Sequence, residues 1–206
     1  METVKNKTFN IPSVEELGFD PVVLRKKYVE EREKRLRKDG NAQYQEVTGD
    51  FDQYNLDPYA YEKIVREPTT EIIDAAIIGG GFGGLLAAVR LLEAGIKNIR
   101  IIEKAGDFGG TWYWNRYPGA QCDIESYIYL PLLEEVNYIP KEKYSFREEI
   151  FEHAQRIGRH YDLYKRAFFQ TQVRGSNWDE KNGRWRIETD RGDILNAKFL
   201  IMSSGP

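Results

Sequence analysis

The chain has 206 residues, 41% hydrophobic and 31% charged, with a formal net charge of −3. That suffices for one sizeable core plus extra segments, and the slight acidic balance gives no footprint for nucleic acid. No apolar run approaches the ~20 residues that a membrane helix needs, the first residues lack the apolar stretch of a signal peptide, and the single cysteine, Cys122, excludes an internal disulfide or a Cys-pair redox centre; the expected location is cytoplasmic.

Residues 1–70 are polar and without repeats, and read as a mainly helical extension. Asp20-Pro21 has the form of a helix start, with Asp as N-cap and Pro at the first helical position. The helix is expected to run from Val22 to Lys38 and to stop at Asp39-Gly40. Its run of both charge signs from Glu30 to Lys38 reads as a solvated face, with a partner surface as the alternative. The aromatic, turn-rich segment with Phe51, Tyr54, Pro58, Tyr59 and Tyr61 reads as a tether packed on a main domain spanning 71–206.

That domain opens with an Ile-rich apolar run at 71–78, which reads as a buried strand. Gly79-Gly80-Gly81-Phe82-Gly83-Gly84 follows and fits G-x-G-x-x-G. Leu85 to Gly95 reads as a helix with a glycine stop, and Ile99 to Glu103 as a second strand. The glycines therefore sit inside one βαβ unit. Gly79 permits the tight turn, Gly81 lets a pyrophosphate approach the backbone, and Gly84 lets helix pack on strand. The helix N-terminus offers free N–H groups to phosphates, and Glu103 is placed to accept from ribose hydroxyls.

Next comes Gly109-Gly110-Thr111-Trp112-Tyr113-Trp114-Asn115-Arg116-Tyr117-Pro118-Gly119-Ala120-Gln121-Cys122-Asp123. Its paired glycines let backbone pass close to a flat ligand, and Pro118-Gly119 fixes a turn. Residues 126–131 suit a ring-binding wall or core. Arg147 to Phe168 reads as one helix bearing His153 and His160, which lack carboxylates or cysteines at ligand spacing, so no metal site is expected. A strand is expected at 168–173, a hairpin turn between Trp178 and Trp185, a tight turn at Arg191-Gly192-Asp193, and a buried strand from Phe199 to Gly205. Small residues at the end of that last strand suit the ligand-facing edge of a parallel sheet.

The spacing Gly110-x-Trp112 to Tyr117-Pro118-Gly119-x-x-x-Asp123 resembles a motif of Baeyer–Villiger monooxygenases, and the resemblance covers about residues 71–206. The N-terminal extension is more weakly similar to members acting on large cyclic or polycyclic ketones. The resemblance implies an α/β, Rossmann-like FAD-binding domain: a parallel sheet with helices plus a small antiparallel meander. It implies an NADPH- and O2-dependent enzyme that converts small-molecule ketones, cyclic ones above all, to esters or lactones by way of a peroxyflavin. Neither nucleic acid nor membrane is implied as a partner.

By the same resemblance Gly79, Gly81, Phe82 and Gly84 would hold the FAD pyrophosphate, and Glu103 the ribose. Gly110, Thr111, Trp112 and Tyr129 would lie at the flavin end, with the tryptophans excluding water. Val173 would meet the adenine through its backbone. Asp123 would contact the flavin region in a supporting catalytic role, and with Gln121 and Cys122 would shape the NADP site. The second motif Phe-x-Gly-x-x-x-His, a second glycine loop for NADPH and the family's catalytic arginine are not found in these residues, and Arg116 does not replace that arginine. The chain therefore reads as the N-terminal piece of such an enzyme, incomplete relative to its two-dinucleotide-domain fold, inactive on ketones alone and a weak FAD binder. Two alternatives stay open: an N- or S-oxygenating flavin monooxygenase, against which the Tyr117 to Asp123 tail argues, and a non-catalytic FAD- or nucleotide-binding module.

Overall fold

The computed structural model describes residues 12–44 and 47–205. Two compact units meet in sequence between Asn55 and Leu56, so the boundary lies earlier than the expected position near residue 70. In the first unit, α1 (Val14–Leu17) begins in a capping box between Ser13 and Glu16 and ends at Gly18 in the left-handed region. Helix α2 (Pro21–Glu33) starts as the sequence suggests, with the Asp20 carboxylate accepting from the N–H groups of Val22 and Val23. It ends at Glu33 rather than at Lys38. No residue of α2 is buried, so packing does not prolong a helix whose own propensity is marginal at this length. The charge run is solvated, carrying exposed pairs such as Lys34 with Glu31 and Lys26 with Glu30.

The second unit is built on a six-stranded sheet. Its strands are β1 (Thr70–Ile78), β2 (Ile99–Ile102), β3 (Ala167–Phe168), β4 (Val173–Asp179), β5 (Arg184–Thr189) and β6 (Ile194–Met202), in the order β3-β2-β1-β6-β5-β4. Strands β3, β2, β1 and β6 run parallel, and β5 is antiparallel to both β4 and β6. The mixture is the parallel sheet with an antiparallel meander expected for the domain.

Strand β1 is apolar from Ala75 to Ile78, the stretch that is covered on both faces. Ala75 and Ile77 belong to a core closed by α3 (Phe82–Glu93) and α6 (Arg147–His160), and Ile73 and Ala76 to a second core with Ile187 and Leu195. Helix α3 can lie against β1 only because Gly84 has no side chain. A Cβ there would stand 1.9 Å from the Gly79 carbonyl oxygen.

Three strand and helix limits differ from expectation. Helix α6 stops at His160, where Asp162 takes a positive φ of 54° and the chain folds back so that Leu163 is fully buried. A 3-10 turn over Leu163–Arg166 then leads into a two-residue β3. The expected strand at 168–173 is split, because Gln170 has φ 48° and the chain crosses the end of β2, with Thr171 N–H donating to Glu103 O at 2.9 Å. Strand β6 starts at Ile194, well before Phe199. His153 is fully buried and bonds the Pro131 carbonyl at 2.7 Å, while His160 is exposed.

Residues 56–69 cross the second unit as a strap. Arg66 makes a two-pronged pair with Asp193, at 2.5 and 2.6 Å, and Thr69 N–H and Thr189 Oγ1 also donate to that carboxylate. The strap's arginine thus satisfies a carboxylate that is fully buried.

Burial pushes the Asp193 carboxyl upward, but the Arg66, Thr189 and Thr69 donors outweigh it and hold the group at about 2. A folded-state value below the unfolded one of about 3.9 gives stability that is present above pH ~4 and lost as pH falls toward 2. Replacing Arg66 with Met is expected to cost about 2 kcal/mol at neutral pH and to flatten that acid loss, read as urea midpoints against pH. Gly84→Ala is expected to destabilise by more than about 2 kcal/mol, although alanine is ordinarily the better helix residue. Gly83→Ala, whose methyl would lie 3.6 Å from Ser203 Cβ, is expected to stay within about 1 kcal/mol of the parent in the same melts.

Candidate dinucleotide site

The C-terminal ends of three parallel strands open onto one edge. Strand β1 runs into Gly79, β2 into Glu103 and β6 into Ser203, and the ends are tied by Gly79 N–H to Ile102 O (2.9 Å) and Ser203 N–H to Ile78 O (2.8 Å). Gly79 has φ 106° and lies so close to β6 that an added Cβ would be 2.3 Å from Ser203 O. Gly81 is the N-cap of α3 without a side-chain cap, and the helical ladder begins with Leu85 N–H to Gly81 O at 3.0 Å. The amides of Phe82, Gly83 and Gly84 precede that bond and sit at the positive end of the helix dipole. Such a donor set suits a pyrophosphate.

The second glycine pair meets the first. Gly109 N–H donates to Gly80 O at 3.0 Å, and a Cβ on Gly110 would be 2.8 Å from Gly81 Cα. Gly110 has φ 53° and opens the short helix α4 (Thr111–Trp114). Backbone-to-backbone contact therefore brings Trp112 to the mouth of the phosphate loop. Trp112 Nε1–H donates to the Tyr129 hydroxyl at 2.8 Å, and the two rings meet edge to face at 5.8 Å. Tyr129, on α5 (Ser126–Tyr129), also meets Phe82 edge to face at 6.0 Å. Phe82, Trp112 and Tyr129 pack on a cluster that contains the buried Cys122. Burial raises the Tyr129 hydroxyl above its ordinary value, although the Trp112 bond opposes this.

Glu103 is 6% exposed and turned toward the loop. One carboxylate oxygen accepts from Gly80 N–H, and the other from Ala105 N–H at 2.6 Å. Burial raises its pKa, and the backbone donors pull it down. Each oxygen keeps a lone pair, so ribose hydroxyls can still be accepted. Val173 stands at the start of β4 opposite Thr189 and packs on the second core, away from the Trp112 cluster. Thr111 and Asp123 are exposed. Gln121 is exposed too, with Nε2–H donating to Tyr144 O at 2.8 Å. Tyr117 is largely exposed, and Gly119, with φ 79°, makes the turn expected after Pro118.

Some residues that shape this edge carry no obvious sequence signal. Arg147, 9% exposed, donates from Nε to Trp112 O at 3.1 Å. Asp57 and Asp107 hold the loop between β2 and α4 from two sides. Only the Asp57-Pro58 turn dipeptide hints at the first of these. The glycine cradle, the buried Glu103 carboxylate beside it and the apolar ring wall together fit a flavin dinucleotide. No helix among the described residues is long and apolar enough to cross a membrane.

Residues 77–137 match the family model of an NAD(P)-binding Rossmann-like domain. The chain is 52% identical over 205 residues to Baeyer-Villiger monooxygenase ATR8 of Stachybotrys chlorohalonatus, covering 99% of this chain and 33% of that protein. It is 52% identical over 190 residues to Baeyer-Villiger monooxygenase 4 of Dietzia sp., covering 92% of this chain and 31% of that protein. Among solved structures, the polycyclic ketone monooxygenase from Thermothelomyces thermophila superposes with a TM-score of 0.72 at 37% identity, covering 94% of this chain and 33% of that one. The chain thus spans about a third of the length of the relatives it matches. Over that third, the chain belongs to the Baeyer–Villiger monooxygenase family.

Proposed function

We propose that this chain forms the FAD-gripping part of an NADPH- and O2-dependent Baeyer–Villiger monooxygenase acting on ketones in the cytoplasm. The observation that carries the reading is the contact of Gly81 with Gly110, which joins a phosphate cradle to an aromatic wall. A nicotinamide-only site needs no such wall beside the pyrophosphate. The overall change is ketone + O2 + NADPH + H⁺ giving ester or lactone + NADP⁺ + H2O. FAD, when bound, supplies hydride acceptance and the activation of dioxygen.

The protein's own residues bind, orient and dry the site. Gly79, Gly81, Phe82 and Gly84 place backbone amides around the pyrophosphate, and Glu103 accepts from the adenosine ribose. The backbone at Val173 meets the adenine. Gly110 and Thr111 bring the chain beside the flavin, and Trp112 and Tyr129 shield it from water. Asp123 contacts the flavin region and, with Gln121 and Cys122, shapes the nicotinamide side. Large cyclic ketones are the favoured substrates. The polycyclic ketone enzyme covers 94% of this chain, extension included, whereas a cyclohexanone monooxygenase covers 66%.

The test is product analysis of the full-length enzyme with NADPH, a cyclic ketone and isotopically labelled O2. A lactone carrying one labelled oxygen is expected. Oxygenation of amines or sulfides with no lactone, or a protein that binds no flavin, would contradict the reading. Glu103→Ala is expected to weaken FAD binding about tenfold by fluorescence titration, the loss of roughly one charge-assisted hydrogen bond. Unchanged affinity would remove Glu103 from the ribose role.

A further inference from the structure

We propose that Asp57 is a positioning residue that sets the conformation of residues 105–114, the loop and short helix that carry Trp112; its functional consequence rests on the flavoprotein reading above. The Asp57 carboxylate gathers three donors, one from its own strap and two from the 105–114 segment. One oxygen accepts from Tyr113 O–H at 2.6 Å and from Gly106 N–H at 2.9 Å. The other accepts from Tyr59 N–H at 2.9 Å. The node is packed, since a Cβ on Gly106 would lie 2.9 Å from the Tyr113 hydroxyl and 3.2 Å from Ala60.

Tyr113 is 3% exposed, and burial together with Asp57 raises its hydroxyl far above the ordinary tyrosine value. It therefore remains a donor across the working pH range. The Arg116 guanidinium stacks 3.8 Å from the Tyr59 ring centre and 4.6 Å from that of Tyr113, closing the node from outside.

Helix α4 is a single turn and cannot hold itself. Its orientation depends on side-chain anchors: Tyr113 to Asp57 on one side, and Trp112 to Tyr129 on the other. The same loop is held from its far side by Asp107, which accepts from Tyr164 O–H at 2.8 Å and Gln155 Nε2–H at 2.7 Å. Asp57 is itself fixed, because Gln170 pins the strap at Glu62 and Ile64, between Asp57 and the more distant Arg66–Asp193 pair. The carboxylate is thus a fixed point from which the position of the tryptophan is set.

The test compares Asp57→Ala, Asp57→Asn, Tyr113→Phe and Arg66→Met in the full chain, by amide hydrogen exchange without FAD and by FAD titration. Asp57→Ala and Tyr113→Phe are expected to speed exchange across residues 105–114 at least tenfold, with α3 unchanged, and to weaken FAD binding at least tenfold. Asp57→Asn, which keeps shape and one acceptor, is expected to fall between them and the parent. Arg66→Met loosens the strap elsewhere, so its exchange is expected to rise no more at 105–114 than in α3. Unchanged exchange at 105–114 in Asp57→Ala, or an equal rise in Arg66→Met, would overturn the proposal. So would a faster loop with unaltered FAD affinity. If Asp57→Ala fails to fold, Tyr113→Phe decides the question. A parent protein that binds no FAD contradicts the function above instead, and the exchange comparison still decides whether Asp57 sets the loop.

Discussion

Everything at the ligand-facing edge depends on backbone meeting backbone without side chains between. Gly79 presses on β6, Gly84 on the Gly79 carbonyl, and Gly110 on Gly81. These approaches are too close for any Cβ, so the glycines fix how near α3 comes to the sheet and how near Trp112 comes to the helix N-terminus. The free amides and the aromatic wall are two consequences of one steric condition. A methyl at the Gly110–Gly81 contact would separate cradle from wall, and one at either of the other two would push the cradle off the sheet.

Carboxylates complete what the glycines begin. Glu103, Asp57, Asp107 and Asp193 each bind backbone N–H groups of turns that have no regular ladder. A buried turn must find partners for its amides, and a fixed carboxylate supplies two acceptor atoms at once. The strap matters for the same reason: Arg66 neutralises the most buried of these charges, Asp193, and Asp57 reaches across to the loop after β2. The loop geometry is held mainly by these charge-assisted bonds, because β3 is two residues long and α4 is one turn.

The central βαβ unit was legible in the sequence, because an apolar run buried on both faces, a glycine fingerprint and an Ala/Leu helix all point the same way. The meander was legible at its turns, Asn182-Gly183 and Gly192, where local chemistry decides. What escaped was set at long range. The ends of α2 and α6 depend on whether packing rewards another turn, and positive φ at Asp162 and Gln170 leaves no clear mark in the sequence. Asp57 and Arg147 are ordinary charged residues in sequence, and their partners lie 49 and 35 positions away. Of the proposed site residues, Phe82, Gly110, Trp112, Cys122 and Tyr129 converge near the loop. Val173 lies on the other core.

The most direct test is a crystal structure of the full-length protein with FAD. The pyrophosphate oxygens are expected within about 3 Å of the amides of residues 81–84, with the ring system against Trp112 and Tyr129. FAD bound elsewhere, or with its adenine rather than its flavin beside Trp112, would contradict the assignment of this edge as the cofactor site.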